Sequence, residues 1–340
     1  MYGITIDTSI AIRHRFRTAD GRAIFEGMAT ARSSTLMGEG WRARARTHVE
    51  EVRAGAGWAA VGLNTEVARL RSVLLTRPGP GLAFSGPPAR WLMAERPDLV
   101  ALATEAEAIA AAYARNGVDV VWIEPGASAP PNLIFVRDLF FMTPEGAVLS
   151  RMAAEQRAGE EAFAAAALAQ RRVPILATPT GTATLEGADV LWLRPDLVLV
   201  GLGNRTNEGG MRVLGRVLAH QGVRCVGVPL SRGVQHLLGS LNLVDEGLAV
   251  LYDADPALRA LLREEGVRTL DFADTREVTH GRSLNFVTLA PRVVLMPADC
   301  PVTRGRLEAE GVRCEEVAVP NYLRAEGALG CLTGILHRAD

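Results

Sequence analysis

Four times along this chain an apolar run, a turn and a second apolar run follow in the same order: Asp138–Ser150, Asp189–Gly201, Ser240–Tyr252 and Ser283–Met296. Each join carries Pro, Gly or Asp, the residues that a tight antiparallel turn demands, so each segment is predicted to be a β-hairpin. A helical stretch follows each of them, at Glu155–Arg171, Asn207–Gln221, Pro256–Glu265 and Thr303–Glu310, and then a short strand. Upstream, Leu70–Gly79 reads as a buried strand ending at a turn, Leu99–Asn116 as a helix stopped by Gly117, and Val118–Ile123 as a strand. That stretch is a degenerate first copy. About five hairpin/helix/strand units at a period of about 50 residues mark a repeat architecture. The predicted fold is an α/β ring of five units with strands inside and helices outside. A doubly wound open sheet would need parallel strands in place of the hairpins. In a closed ring the residues that open each hairpin lie at equivalent ends of neighbouring units and can converge on one central pocket.

Composition narrows what such a pocket can do. The 340 residues are 48% hydrophobic, enough for a sizeable core. The 37 basic and 38 acidic residues nearly cancel and are spread along the chain, which argues against nucleic-acid and membrane partners. Every basic residue is arginine. No lysine means no Schiff-base chemistry and no P-loop lysine on a nucleotide phosphate. The four cysteines, Cys225, Cys300, Cys314 and Cys331, lack zinc-site spacing, so the expectation is no metal and reduced thiols in a cytoplasmic protein. Neither a signal peptide nor an apolar run long enough to span a bilayer is expected. Residues 1–60, Gly- and Arg-rich with a helix predicted from Gly40 to Arg53, read as an N-terminal extension, and residues 61–340 as one catalytic domain.

The polar residues near the hairpin openings form a chemically coherent set. Asn132-Leu-Ile-Phe135-Val-Arg137-Asp138 precedes the first hairpin, Glu186-Gly-Ala-Asp189 the second, and Gln235-His236 the third. Cys331, among small residues with Gly330 before it, follows the last unit where the backbone can turn tightly. Carboxylates suit a planar cation such as guanidinium, which they can pair bidentately. A thiolate suits attack on an electrophilic carbon, and a bound cation would lower its pKa. A histidine held by a carboxylate can protonate a leaving amine and then activate water. Together these groups fit displacement of an amine from a guanidinium carbon, with Arg205 available for a substrate carboxylate. Plainer readings remain for each alone: Cys331 as a packing residue, His236 as a half-buried histidine between leucines, Asp138 and Asp189 as turn caps, Glu186 as a turn residue, Arg205 as a surface charge.

The segments Asn64-Thr-Glu-Val, Leu70–Gly79, Asn132–Asp138, Leu185–Val190, Gly201–Gly209, His236-Leu237 and Gly330–Thr333, in this order and spacing, resemble the guanidine-modifying penteins: arginine deiminases, dimethylarginine dimethylaminohydrolases and amidinotransferases. The resemblance implies a five-bladed α/β propeller with no metal or organic cofactor and a small guanidino substrate; a homodimer is compatible with it. It implies that Cys331 is the nucleophile, His236 the general acid/base, Glu186 its orienting partner and Asp138 the grip on the guanidinium. By the same resemblance Arg205 clamps the substrate carboxylate, Arg157 is a second clamp, Asp189 is a structural or secondary site residue, and Phe135 belongs to the binding set. Arginine deiminases and amidinotransferases typically carry an Asp two residues after the histidine; here stands Leu238. An apolar residue there leaves room for an N-alkyl group and tilts the reading towards a dimethylarginine-hydrolase-like enzyme releasing a ureido product. Arg137 replaces the acidic residue common before the Asp in that branch. Amidino transfer to an amine and a non-catalytic binding protein on the same fold are the alternatives.

Overall fold

The computed structural model describes residues 34–126 and 129–339. Residues 1–33 of the predicted extension lie outside the described residues. In the segment ending at Arg46, Ser34–Leu36 forms one 3₁₀ turn. The compact body starts at Thr47, upstream of the boundary expected at 61. The helix expected from Gly40 is confined to His48–Arg53 (α1), because Thr47 and Glu50 form a reciprocal capping box that sets its first turn.

The body contains five three-stranded sheets. Four are built alike: β3 (Phe140–Thr143), β4 (Gly146–Leu149) and β5 (Ile175–Ala177); β6 (Val190–Arg194), β7 (Leu197–Leu202) and β8 (Arg224–Pro229); β9 (Leu241–Asp245), β10 (Leu248–Leu251) and β11 (Arg268–Asp271); β12 (Val287–Ala290), β13 (Val293–Pro297) and β14 (Arg313–Val317). In each, the first two strands pair antiparallel through a tight turn, with Thr143 opposite Gly146, Arg194 opposite Leu197, Asp245 opposite Leu248 and Ala290 opposite Val293. The third strand then adds parallel to the second. A parallel pair needs a crossover, and helices supply it: α3 (Glu160–Gln170), α4 (Glu208–His220), α5 (Pro256–Glu264) and α7 (Pro301–Ala309). Asn207 caps α4 at Gly210 N, and Asp255 caps α5 ahead of Pro256.

The fifth sheet explains the degenerate first copy. β1 (Leu70–Thr76) and β2 (Asp119–Ile123) pair in parallel across α2 (Leu99–Arg115), and β15 (Gly334–Arg338) joins β1 antiparallel from the C-terminal end of the chain. The first unit has no hairpin of its own because its remaining strand comes from the far end of the sequence, and that pairing closes the ring. Three short helices complete the body: α6 (Arg276–Thr279), α8 (Pro320–Arg324) and α9 (Leu329–Leu332).

Middle strands β4 and β10 are buried at every position, whereas the outer strand β11 is exposed at both ends. The continuous apolar runs of the sequence are therefore strands covered on both faces. Trp192, fully buried, stacks on Phe141 with ring centroids 5.6 Å apart and donates its indole N–H to Met142 O, locking two neighbouring sheets. This architecture, hairpins first and parallel strands second around a closed ring, excludes the open doubly wound sheet. It is a five-bladed α/β propeller.

Candidate active site

Residues from the segments that lead into β3, β6, β9, β12 and β15 line a cavity of about 420 Å³. Phe135, Asp138, Arg157, Arg205, His236 and Cys331 line it, as does Leu238. Glu186 and Asp189, both fully buried, do not reach the cavity and act on the groups that do.

Glu186 is the hub. It directly precedes the 3₁₀ turn Gly187–Asp189, and its Oε1 accepts from Ala153 N at 3.0 Å. Its Oε2 lies 2.7 Å from His236 Nε2, and Arg205 Nη1 stands 3.4–3.5 Å from both oxygens. Burial alone would raise its pKa; the hydrogen bond and charge of His236, with Arg157 and Arg205, outweigh burial and hold it below the usual carboxylate range. Burial likewise would depress His236, but Asp138, Asp189 and Glu186 push it up to about 9. At neutral pH this imidazole is therefore charged. Asp189 fixes the loop that carries it: its Oδ1 accepts from Leu237 N at 3.0 Å. Burial pushes the Asp189 carboxyl up to about 6.

Asp138 sits on the 3₁₀ turn Val136–Leu139 leading into β3. Its Oδ2 accepts from Arg157 Nη1 at 2.6 Å, while Oδ1 is buried without a partner. Arg157, 2% exposed, also donates through Nε and Nη2 to Glu160 Oε2 at 3.0 and 2.8 Å. Its guanidinium is thus engaged by two carboxylates, an arrangement that neutralises a buried cation. Glu160 was not anticipated. It opens α3, its Oε1 also lacks a partner, and burial pushes its carboxyl up to about 7 against the pull of Arg157. Asp138, Glu186 and His236 place ligand-type atoms within 4.8 Å of one another, a spacing a metal ion could use. The Arg157 guanidinium, 2.6 Å from Asp138 and 3.9 Å from Glu186, already supplies a cation there.

Cys331 lies on α9, just before β15. Asn285 holds it at two points, donating from Nδ2 to Sγ at 2.9 Å and accepting from Cys331 N at 3.0 Å through Oδ1. Burial, followed by the charge of Asp138, raises the thiol pKa, while the Asn285 contact and Arg282 oppose the rise. Asn285 also escaped the reading of the sequence. Its signal was present: it stands two residues ahead of β12, as Asp138 stands two residues ahead of β3. The glycine before the cysteine has a definite use. A Cβ on Gly330 would lie 2.6 Å from Asn285 Oδ1 and 3.1 Å from Leu238 Cδ2, so any side chain there would push Asn285 off the thiol. Gly327 likewise admits the Phe135 ring, with a would-be Cβ only 2.1 Å from its Cε1.

Arg137, adjacent to Asp138 in sequence, does not line the cavity. It turns away to a bidentate contact with Glu66, Nη2 to Oε1 at 3.0 Å and Nη1 to Oε2 at 3.4 Å. Its departure from the family pattern therefore adds no cation to the pocket. The four cysteines are unpaired, and no described helix is long and apolar enough to cross a membrane.

Known proteins resemble this chain in sequence and in fold. The family model for arginine deiminase matches residues 120–254. An arginine deiminase of Rhodococcus opacus is 29% identical over 240 residues, covering 60% of this chain and 59% of that protein, so the chain spans less than two thirds of that relative. An N(G),N(G)-dimethylarginine dimethylaminohydrolase of Streptomyces coelicolor is 26% identical over 229 residues, covering 67% of this chain and 83% of that one. The solved structure of SxtG, an amidinotransferase from Microseira wollei in the saxitoxin biosynthetic pathway, superposes with a TM-score of 0.69 at 15% identity, covering 83% of this chain and 98% of that chain. In its repeat, its closed five-bladed ring and these matches, the chain is similar to the guanidine-modifying penteins.

Proposed function

We propose that this protein hydrolyses the guanidinium C–N bond of arginine or an N-substituted arginine through a covalent adduct on Cys331. The observation that carries the reading is the convergence, at one cavity, of a thiol held by Asn285, a carboxylate-bound imidazole and a carboxylate oxygen of Asp138 with no partner. In this scheme the substrate guanidinium donates to Asp138 Oδ1. Its positive charge beside Sγ offsets the Asp138 carboxylate that keeps the thiol protonated, and the proton passes to water at the pocket mouth. Thiolate Cys331 then adds to the guanidinium carbon. His236, charged at neutral pH, gives its proton to the departing amine or ammonia, and collapse leaves an amidino-thioether. Water adds to the same carbon as His236 takes a proton from it, and the C–S bond breaks to release thiolate and a ureido product. Glu186 holds the imidazole in place through both proton transfers. Arg205, at the pocket wall, is assigned to the substrate carboxylate. Arg157 is given the role of fixing Asp138, because both arms of its guanidinium are engaged by carboxylates.

Leu238 lines the cavity beside Gly330 and offers an apolar wall where a second carboxylate would otherwise bind the guanidinium. That favours an N-alkylated guanidinium, in keeping with the likeness to a dimethylarginine dimethylaminohydrolase. The test is incubation with arginine, methylated arginines, agmatine and other guanidino acids, with ureido products and adducts read by mass spectrometry. The expected result is a ureido product and an adduct on Cys331. A new guanidino compound formed only when an amine such as glycine or ornithine is added would assign transfer instead. Inertness to the whole panel, with Cys331 unlabelled by a haloacetamidine, would point to a binding protein.

A further inference from the structure

The polar groups that the proposed reaction leaves unused gather in a second place. Arg137 and Arg338, 7% and 2% exposed, border a cavity of about 10 Å³ with Asn242, Thr288, Thr333 and Leu238. That is room for a single water-sized particle. Glu66 also borders it and is the carboxylate paired with Arg137. Glu66 has further claims on it, since Trp192 N donates to its Oε1. Arg338 donates through Nη1 to Ala68 O, a neutral carbonyl, and its buried Nε has no acceptor among the described residues. Two buried guanidiniums thus face one carboxylate.

An uncompensated buried charge of this kind is costly, and a buried N–H without a partner adds to the cost. The hydroxyls that border the cavity are already committed: Thr288 donates to Leu243 O, and Thr333 to Leu329 O while it also meets Tyr113. Asn242 donates to Leu284 O and Phe286 O. The cavity therefore presents surplus positive charge and an open donor. Burial first, and the neighbouring Arg137 charge after the partial relief from Glu66, pull Arg338 down to about 10.

We propose that the inner cavity binds one small monovalent inorganic anion, chloride among the physiological ones, against Arg338 Nε and the Arg137 guanidinium. Such an ion bridges β15 and the turn that carries Asp138, and steadies the segment that runs from Cys331 into the closing strand. The site lies apart from the proposed hydrolysis and stands whether or not that reading holds.

The test compares the thermal midpoint of the full-length protein in sodium chloride and in sodium gluconate at matched ionic strength, gluconate being too large for the cavity. The expected result is a saturable rise of roughly 1–2 °C with chloride, the size one weakly occupied site gives in a domain of this length. Arg338→Gln should abolish the saturable rise, and Arg232→Gln, at the mouth of the large cavity, should keep it. A response that stays linear in salt, or that survives Arg338→Gln, overturns the proposal. Should Arg338→Gln fail to fold, a crystal of the unmodified protein soaked in bromide decides. An anomalous peak within hydrogen-bond reach of Arg338 Nε upholds the site; a water at that position, or no peak, overturns it.

Discussion

The molecule buries two polar clusters of opposite character, and Leu238 borders both of their cavities. Around the large cavity four carboxyl groups, Asp138, Glu160, Glu186 and Asp189, meet three cationic groups, Arg157, Arg205 and His236. Around the small one Glu66 meets Arg137 and Arg338. Within the two clusters the unpartnered atoms sort the same way: Asp138 Oδ1, Glu160 Oε1 and Asp189 Oδ2 are acceptors at the first, and Arg338 Nε is a donor at the second. Surplus acid beside an open pocket suits a cationic substrate. Surplus base in a closed cavity serves the fold. Function should therefore fail when the first cluster is cut, and stability when the second is.

The sharpest test of that division is Cys331, the proposed nucleophile. Cys331→Ser should lower turnover by ~10⁴-fold or more while the melting midpoint stays near that of the parent, read by steady-state kinetics and calorimetry. Glu66→Gln should do the reverse. Removing one partner of a buried ion pair costs about 3–5 kcal/mol, and here it would leave two guanidiniums uncompensated, so chemical denaturation should show a large loss of stability in protein that is still active at low temperature. A Glu66→Gln enzyme of parental stability and no activity would break the comparison.

The first cluster also has a pH signature. His236 is raised from its ordinary 6.5 to about 9. Its contribution to stability is therefore fully present below pH 6.5 and is lost as pH rises through 9, on the order of 3 kcal/mol in all. Denaturation across that window should show the loss in the parent and its absence in His236→Gln. Asn285→Ala should lower kcat by about ten-fold and shift the pH midpoint of iodoacetamide labelling at Cys331 upwards, since the amide contact favours the thiolate. A purely structural role would leave that midpoint unmoved. The smallest effect is expected at Glu160, whose carboxyl is pushed up to about 7. Glu160→Gln should have less effect at pH 6 than at pH 8, because the raised carboxyl is more protonated there. At pH 8 it should slow turnover a few-fold, about 1 kcal/mol, because Arg157 then loses a charged partner.

Much of this was legible in the chain. The four hairpins, their turns and the helices after them fall where period and turn chemistry place them, because those signals depend on near neighbours in sequence. Of the candidate site residues, Phe135, Asp138, Arg157, Arg205, His236 and Cys331 line the large cavity, and Glu186 and Asp189 lie just behind it. Asn285 went unnoticed because an amide between apolar residues carries no charge signal, and Glu160 because a glutamate at a helix start ordinarily faces water. The helix expected from Gly40 came out short because its true start is set by the pairing of Thr47 with Glu50.

Arg137 and Asp138 mark the limit most clearly. They are consecutive, yet one belongs to the inner cluster and the other to the large cavity. The sequence by itself determined the repeat, the kinds of groups at each hairpin mouth and the presence of a thiol, an imidazole and carboxylates among them. Only the tertiary structure decided which end of the turn at Val136–Leu139 faces which cavity, that Arg157 is held between two carboxylates, and that β15 returns from the end of the chain to complete the first blade. Local periodicity records hydrogen bonding and burial along a strand or helix. The partners of a buried charge are set by ring closure, which brings together residues distant in the chain and has no periodic trace in it.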